Sequence, residues 1–290
     1  MQLATIFLLI VVLFATAIWP LGRWALRDSK EPSIVGFWVS ITVAVVDVIA
    51  VVLYEGDIPP IDVVIAGVLL AIAYAFGFWK FIMRALQIGP AGPTATINNM
   101  AMAAGVLYGI LALSPTSASL WSWLGLSGVC IALLMLGLAK KGDVVGEHAI
   151  SAPWIRLVAL GGALSCLSFI SQTHVGTLYP DFKFTYGAIG FGIAALILFP
   201  RGQLGTLSLG SSQEKVGGLL LGVMNATMQP LTLYSMKEFG AQVVLPVSVA
   251  TPIVLILIIG RIYYKERLSL LALFGCLVGA VSVTVLAIMG

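Results

Sequence analysis

Charge is what this chain has least of. Asp, Glu, Lys and Arg make up 9% of its 290 residues, and hydrophobic residues make up 60%. A soluble globular chain carries about 25% charged and roughly 45–50% apolar residues. The shortage excludes a soluble domain and leaves too little basic surface to hold a nucleic acid. Histidine is scarcer still. His148 and His174 are far apart and build no metal site. The three cysteines, Cys130, Cys166 and Cys276, lie inside apolar runs without paired spacing, so neither a disulfide framework nor a zinc signature is present. Enzyme signatures are also missing: there is no GxxxxGK[ST] phosphate loop, no HExxH, no paired acidic motif and no GxSxG elbow. No catalytic residue, metal or cofactor is expected. Without a nucleotide site, any pumping must draw on a gradient or on solute exchange.

What the chain has is apolar length. Ten segments emerge, near 2–26, 33–54, 62–86, 91–113, 118–139, 153–175, 182–200, 214–237, 241–263 and 268–289, each about long enough to cross a bilayer. The first is too long for a signal-peptide core and lacks a basic leader, so it reads as a permanent span. The breaks are turn-rich or charged, and none could hold a soluble domain. The segments also repeat. Gly36 and Gly187 stand 151 positions apart, as do Gly67 and Gly218, Gly89 and Gly240, Gly109 and Gly260, and Gly128 and Gly279. The same offset superposes five segments on five without a gap. Five is odd, so the second copy enters the membrane from the opposite side. The expected fold is an all-α membrane protein of ten transmembrane helices. Its two inverted five-helix repeats, residues 1–145 and 146–290, would enclose one central cavity at mid-depth.

The few charges are placed unevenly. Of the 15 Lys and Arg, all but Lys183 and Lys237 fall in or beside the loops after segments one, three, five, seven and nine. The positive-inside rule then puts those loops in the cytoplasm and both termini outside, in a multi-pass protein of the cell (inner) membrane. The sequence leaves the oligomeric state open; a monomer suffices for this arrangement.

The stretch from Leu219 to Leu268 carries the most informative polar residues. Asn225 lies near the centre of segment eight, and Gln229 shares its face one turn on. A mid-membrane amide pair either glues helices together or meets a solute. Tyr74 stands at the 151 offset from Asn225. In segment four Asn98 and Asn99 are adjacent, pointing about 100° apart, so at least one should face protein or a cavity. Pro90 and Pro93 suit the start of that helix. Pro246 and Pro252 lie inside segment nine; Pro252 removes a backbone donor and invites a hinge, and Thr251 beside it either satisfies a freed carbonyl or faces the cavity. Ser165, Ser168 and Gln172 form a polar stripe on segment six that serves packing, with cavity contact open. Trp19 and Trp79 lie deeper than the interfacial belt that suits Trp121 and Trp123. Lys80, one turn before Arg84, either snorkels to the interface or lines the cytoplasmic half of the cavity, where it would hold a carboxylate or phosphate. Asp47, in segment two, is a candidate proton-coupling carboxylate.

The ten segments, the five-plus-five duplication and the ending GRIYYKERLSLLALFGCLVGAVSVTVLAI together resemble the drug/metabolite transporter superfamily, EamA-like branch. Gly260, Glu266, Gly275 and Gly279 match its pattern of a Gly closing span nine, a Glu opening the next connection and a Gly-rich span ten. SPTSAS in the first half has no Glu where Glu266 sits in the second. Family members generally have cytoplasmic termini, the reverse of the charge count. The resemblance implies a secondary transporter, often an exporter of amino acids or other small metabolites, with spans one to four and six to nine lining the cavity. On that reading Asn225, Gln229, Tyr74, Asn98, Trp19, Thr251 and Ser168 bind substrate, Lys80 attracts an anionic group, and Asp47 and Pro252 serve coupling and gating. The partners are a small-molecule substrate and the lipid bilayer. Two alternatives compete: a flippase for a lipid-linked substrate, which needs a cleft open sideways to lipid, and a scaffold or sensor without flux, which needs a dry interior.

Overall fold

The computed structural model describes residues 2–29, 31–113, 120–138, 151–200, 210–239, 241–262 and 269–289. Among them every element is helical. In order these are α1 (Gln2–Ala25), α2 (Pro32–Tyr54), α3 (Ile61–Ile72), a π-helical segment (Ala73–Ile82), α4 (Met83–Ile88), α5 (Ala91–Met100), α6 (Met102–Tyr108), a second π segment (Gly109–Leu113), α7 (Leu120–Leu138), α8 (Ala152–Leu178), a 3₁₀ turn (Pro180–Phe182), α9 (Lys183–Leu198), α10 (Ser212–Phe239), α11 (Ala241–Ile262) and α12 (Leu270–Met289). Seven described stretches are long and apolar enough to cross a bilayer: Thr5–Ala25, Pro32–Tyr54, Ile61–Ile88, Ala91–Leu113, Ala152–Leu178, Pro180–Leu198 and Ser212–Ser235.

The outside of the bundle is as apolar as its core. On α2, Val35, Val39 and Val43 are buried, while Val48, Ile49, Val52 and Leu53 on the other face are exposed. Leu196, Val223 and Leu270 extend this belt. A large, continuous apolar exterior is excluded by water but suits lipid. The chain is therefore a multi-pass α-helical membrane protein.

Two spans are less regular than their apolar patterns suggest. Segments three and four read as single helices in the sequence. In the structure Ile61–Ile88 passes through ten π-helical residues, and Ala91–Leu113 is interrupted at Ala101 and ends in a π turn. Gly77 accounts for the close packing of the first of these. A Cβ there would meet the Leu164 side chain at 2.9 Å and the Gly161 carbonyl at 3.3 Å. A Cβ on Gly161 would in turn stand 2.9 Å from the Gly77 carbonyl. Such mutual close approach is the usual helix contact in lipid, where water supplies no driving force between helices.

The same device recurs around α2 and α9. The backbone at Gly67 faces the Ile189 side chain and the Tyr186 carbonyl, and that at Gly218 faces the Trp38 side chain and the Val35 carbonyl. Gly36 meets Trp79 and Leu198, and Gly187 meets Asp47. In this way α2 packs on α9 and α10, α9 on α3, α1 on α10 and α11, α8 on the first π segment and on α6, and α7 on α12.

The two ends of the bundle are tied differently. At one, Glu55 closes the start of α9, accepting bonds from the Phe184 and Thr185 backbone amides at 2.9 Å each and from Thr185 Oγ1 at 2.8 Å. An acceptor there satisfies amides that have no partner within their helix. Nearby, Tyr179 donates to Asp62 at 2.9 Å, and the Tyr108 hydroxyl lies 2.7 Å from His174 Nδ1. At the other end, Gln87 Nε2 donates to the carbonyls of Leu26 (3.1 Å) and Ser29 (2.9 Å), and Trp154 Nε1 donates to Thr94 Oγ1 at 2.9 Å.

Gly77→Ala is expected to cost about 1–3 kcal/mol, because the added methyl meets backbone on a neighbouring helix. Gly192→Ala, where a Cβ meets nothing within 4 Å, is expected to be neutral or to gain up to about 1 kcal/mol from helix propensity. Thermal unfolding of the two variants in detergent compares them.

Candidate functional site

Between helices pressed this closely, the described residues enclose a polar hollow. The cavity has a volume of about 210 Å³, room for a small organic molecule and below the roughly 300–1,000 Å³ of drug-sized pockets. Its wall takes residues from α1, span three, α5, α6, α8, α9, α10 and α11. Of the sequence candidates, Trp19, Tyr74, Asn98, Ser168, Asn225 and Gln229 all stand on it. No Asp, Glu, Lys, Arg or His is found on this wall among the described residues. Its polarity comes from amides and hydroxyls, its apolar part from aromatic rings together with aliphatic residues such as Val11, Ile18, Leu70 and Met228.

The amides are only partly satisfied. Asn225 Nδ2 donates to the Leu221 carbonyl at 2.9 Å, leaving its own carbonyl oxygen free. Asn98 Oδ1 accepts from Ser165 at 2.9 Å, leaving its NH₂ group free. Gln229 Nε2 is buried with no hydrogen-bond partner. The Tyr74 hydroxyl and the neighbouring Trp79 indole nitrogen also lack a well-formed bond. Buried polar groups left unpaired cost about 1–3 kcal/mol each. Several such groups belong to residues of this wall.

The first π segment supplies the aromatic side. Tyr74 and Phe78 stack at 5.4 Å with 12° between their planes, Phe191 of α9 meets Tyr74 edge-on at 4.7 Å, and Trp19 of α1 meets Phe78 edge-on at 6.1 Å. π-helical turns inside α-helices are found often at functional sites. Tyr186, also on the wall, is held by Ser171, with their hydroxyls 2.9 Å apart.

Other candidates fall elsewhere. Lys80 does not line the cavity: it is exposed, with Nζ 4.4 Å above the Phe76 ring. The π segment turns it away from the wall that carries Tyr74 and Phe78, so it cannot hold an anion there. Trp79 is buried against Gly36 and packs rather than lines. Asp47 is buried one helix behind the wall, facing Gly187. Pro252 is buried on α11, which runs unbroken past it, and is not on the wall. Thr251 lies on the same helix, and its side chain is outside the described part, as are Glu266 and the loop holding His148. Asn98 and Asn99, expected on different faces, both reach the cavity, which wraps this helix where it tightens before Ala101.

Sequence reasoning passed over Phe78, Tyr186, Phe191 and Thr232. Phe78 had a signal: it stands 151 positions before Gln229, the rule that drew attention to Tyr74. The others sit on helices whose patterns do not separate lining from packing.

No family model matches the chain, and no curated protein matches its sequence. Solved structures do match its fold. One, described only as "Crystal structure of protein", superposes with a TM-score of 0.64 at 12% identity, covering 99% of this chain and 98% of that chain. At that identity the likeness concerns the fold alone.

Tyr74→Phe removes a buried hydroxyl without a good partner and is expected to stabilise the protein by about 1 kcal/mol, read as a rise in Tm in detergent. Outside the membrane, the bond Tyr179 donates to Asp62 raises the phenol above its ordinary value, with partial desolvation and the Asp62 charge adding to the shift. The stabilisation is therefore full below about pH 10, the ordinary tyrosine value, and is lost as pH climbs through the higher folded value. On alkaline titration the wild type should lose stability relative to Tyr179→Phe.

Proposed function

We propose that this chain is a secondary transporter that moves a small polar metabolite, such as an amino acid, by alternating access. The observation that carries the reading is the cavity itself, a mid-chain hollow whose wall presents unmet amide groups beside aromatic rings. Its lack of charged groups among the described residues favours a neutral or zwitterionic solute. A lone anion would leave water for a site without a cation, at high cost.

Ten spans in two inverted five-helix repeats are part of the proposal, and several contacts support it. Moving Gly67 by 151 positions gives Gly218, and the groups facing them, Ile189 with Tyr186 and Trp38 with Val35, are related by the same offset. The contacts Gly36–Leu198 and Gly187–Asp47 are related likewise. Helix pairing follows suit: α1 on α10 corresponds to α8 on span three, and α2 on α10 to α9 on α3. On the cavity wall, Tyr74 pairs with Asn225, Phe78 with Gln229, and Ile18 with Phe169 at that spacing. A pseudo-two-fold axis through a shared site is the architecture that lets two bundles rock about a bound solute. The resemblance to EamA-like drug/metabolite transporters points the same way. The positive-inside rule assigns the end bearing Arg23, Arg27, Arg84, Arg156 and Lys215 to the cytoplasm.

The flippase alternative gains less. The lateral groove formed by Pro20, Ile258, Ile259 and Ile262 is apolar, with nothing to hold a polar headgroup.

The test is flux in proteoliposomes across a metabolite panel that includes the twenty proteinogenic amino acids. Wild-type protein should exchange at least one solute. Asn225→Leu should lower that exchange by about tenfold, the equivalent of one hydrogen bond near 1.4 kcal/mol, while leaving the folded fraction unchanged. A folded wild type that moves nothing under any gradient, together with an Asn225→Leu variant that is simply more stable, would establish a scaffold instead.

A further inference from the structure

Asp47 is 3% exposed on the α2 face turned toward α9 and α10. Among the described residues it makes no hydrogen bond and no ion pair. Its carboxyl lies against Gly187 of α9, where a Cβ would overlap Oδ2. The same Cβ would stand 3.4 Å from Gln229 Nε2, the cavity-wall amide that is itself without a partner. An unpaired acid and an unpaired amide nitrogen thus share the space in front of one glycine, and the residue that carries the amide stands on the cavity wall.

The surroundings supply no counter-charge. The titratable groups on the packed elements are Lys183 and Tyr186 on α9, Glu214, Lys215, Tyr234, Lys237 and Glu238 on α10, and Tyr74 and Lys80 on the π segment; Glu55 follows Asp47 two turns on, just past the end of α2. Only Glu55 acts on the carboxyl, and it is a like charge. A carboxylate in a bilayer interior with no cation beside it is costly, and intramembrane acids so placed serve proton relays. The neutral acid can donate its proton to the Gln229 carbonyl, whereas the carboxylate can accept from the Gln229 NH₂ group. Each state turns the opposite end of the amide toward the solute.

We propose that Asp47 is a proton-binding site that acts through Gln229, its occupancy deciding whether the cavity wall offers the solute a donor or an acceptor. This rests on the transport reading and adds a coupling ion to it. On release the O–H bond breaks, the electron pair stays on the carboxylate and the proton passes to water, without redox change. Proton and solute binding are then linked, because each alters the bonds open to the other.

The test is pH-difference infrared spectroscopy of the full-length protein in lipid nanodiscs, without solute. Wild type should show a carboxylic-acid carbonyl band that fades on alkaline titration and shifts on labelling with ¹³C-aspartate. The band should be lost in Asp47→Asn, kept in Asp47→Glu, and shifted in Gln229→Leu, where the acid loses its acceptor. Failure of any titrating band to respond to the aspartate label overturns the proton site without recourse to a mutant. A labelled band unmoved by Gln229→Leu overturns the link to the cavity. Because no solute is present, these failures are distinct from an absence of flux in vesicles, which bears on the transport reading.

Discussion

A polar group inside a bilayer must find its partner within the protein, and this one constraint sorts the buried polar residues of the chain into two kinds. Seven threonines meet it locally. Thr16, Thr42, Thr94, Thr96, Thr227, Thr232 and Thr284 each donate to the carbonyl four residues back, at 2.7–2.9 Å. A hydroxyl satisfied by its own helix says little about what faces it. Amides cannot close their account this way, since each has an NH₂ group and a carbonyl at opposite ends. Asn225 satisfies one end on its own helix and Asn98 one end on a neighbour, while the Gln229 nitrogen is bonded to nothing. Asn225 and Asn98 stand on the cavity wall with one end unmet, whereas the Gln229 nitrogen lies in front of Gly187, beside Asp47.

Close packing decides where that cavity can be. Glycines at helix crossings bring backbone against side chain on the sides of the bundle where span three meets α8 and where α2 meets α9 and α10. Where the crossings carry Tyr74, Phe78 and Phe191 instead, the rings hold the helices apart. The hollow and the tight crossings are two outcomes of one distribution of residue size.

Much of this was legible in the sequence. The scarcity of charge implied the membrane class, and the apolar runs placed every described span to within a few residues. Asn225, Gln229 and Trp19 were singled out by depth, Tyr74 by the repeat offset, Asn98 by its adjacent amide and Ser168 by a polar stripe, and all six stand on one wall. The logic of depth failed for Lys80, because depth says nothing about azimuth, and a π-helical segment changes azimuth in a way that a 3.6-residue period cannot anticipate. It also missed Tyr186 and Phe191, since an aromatic residue on an apolar helix looks the same whether it packs or lines. Asp47 was visible as a membrane acid, but its nearness to Gln229 depends on Gly187, more than a hundred residues away, and only the fold brings the three together.

The Glu55 bonds to the start of α9 have a mechanical result. A carboxylate just beyond the end of α2 grips three donors at the mouth of another helix, so two elements far apart in the chain are clasped at one membrane face. Along their length the same pair is interlocked at Gly36 and Gly187. The two helices behave as a single splint. A parting of the bundle at that face would meet less resistance along another seam, past Tyr179 and Asp62, where single side-chain bonds such as Tyr179–Asp62 and Tyr108–His174 do the stitching.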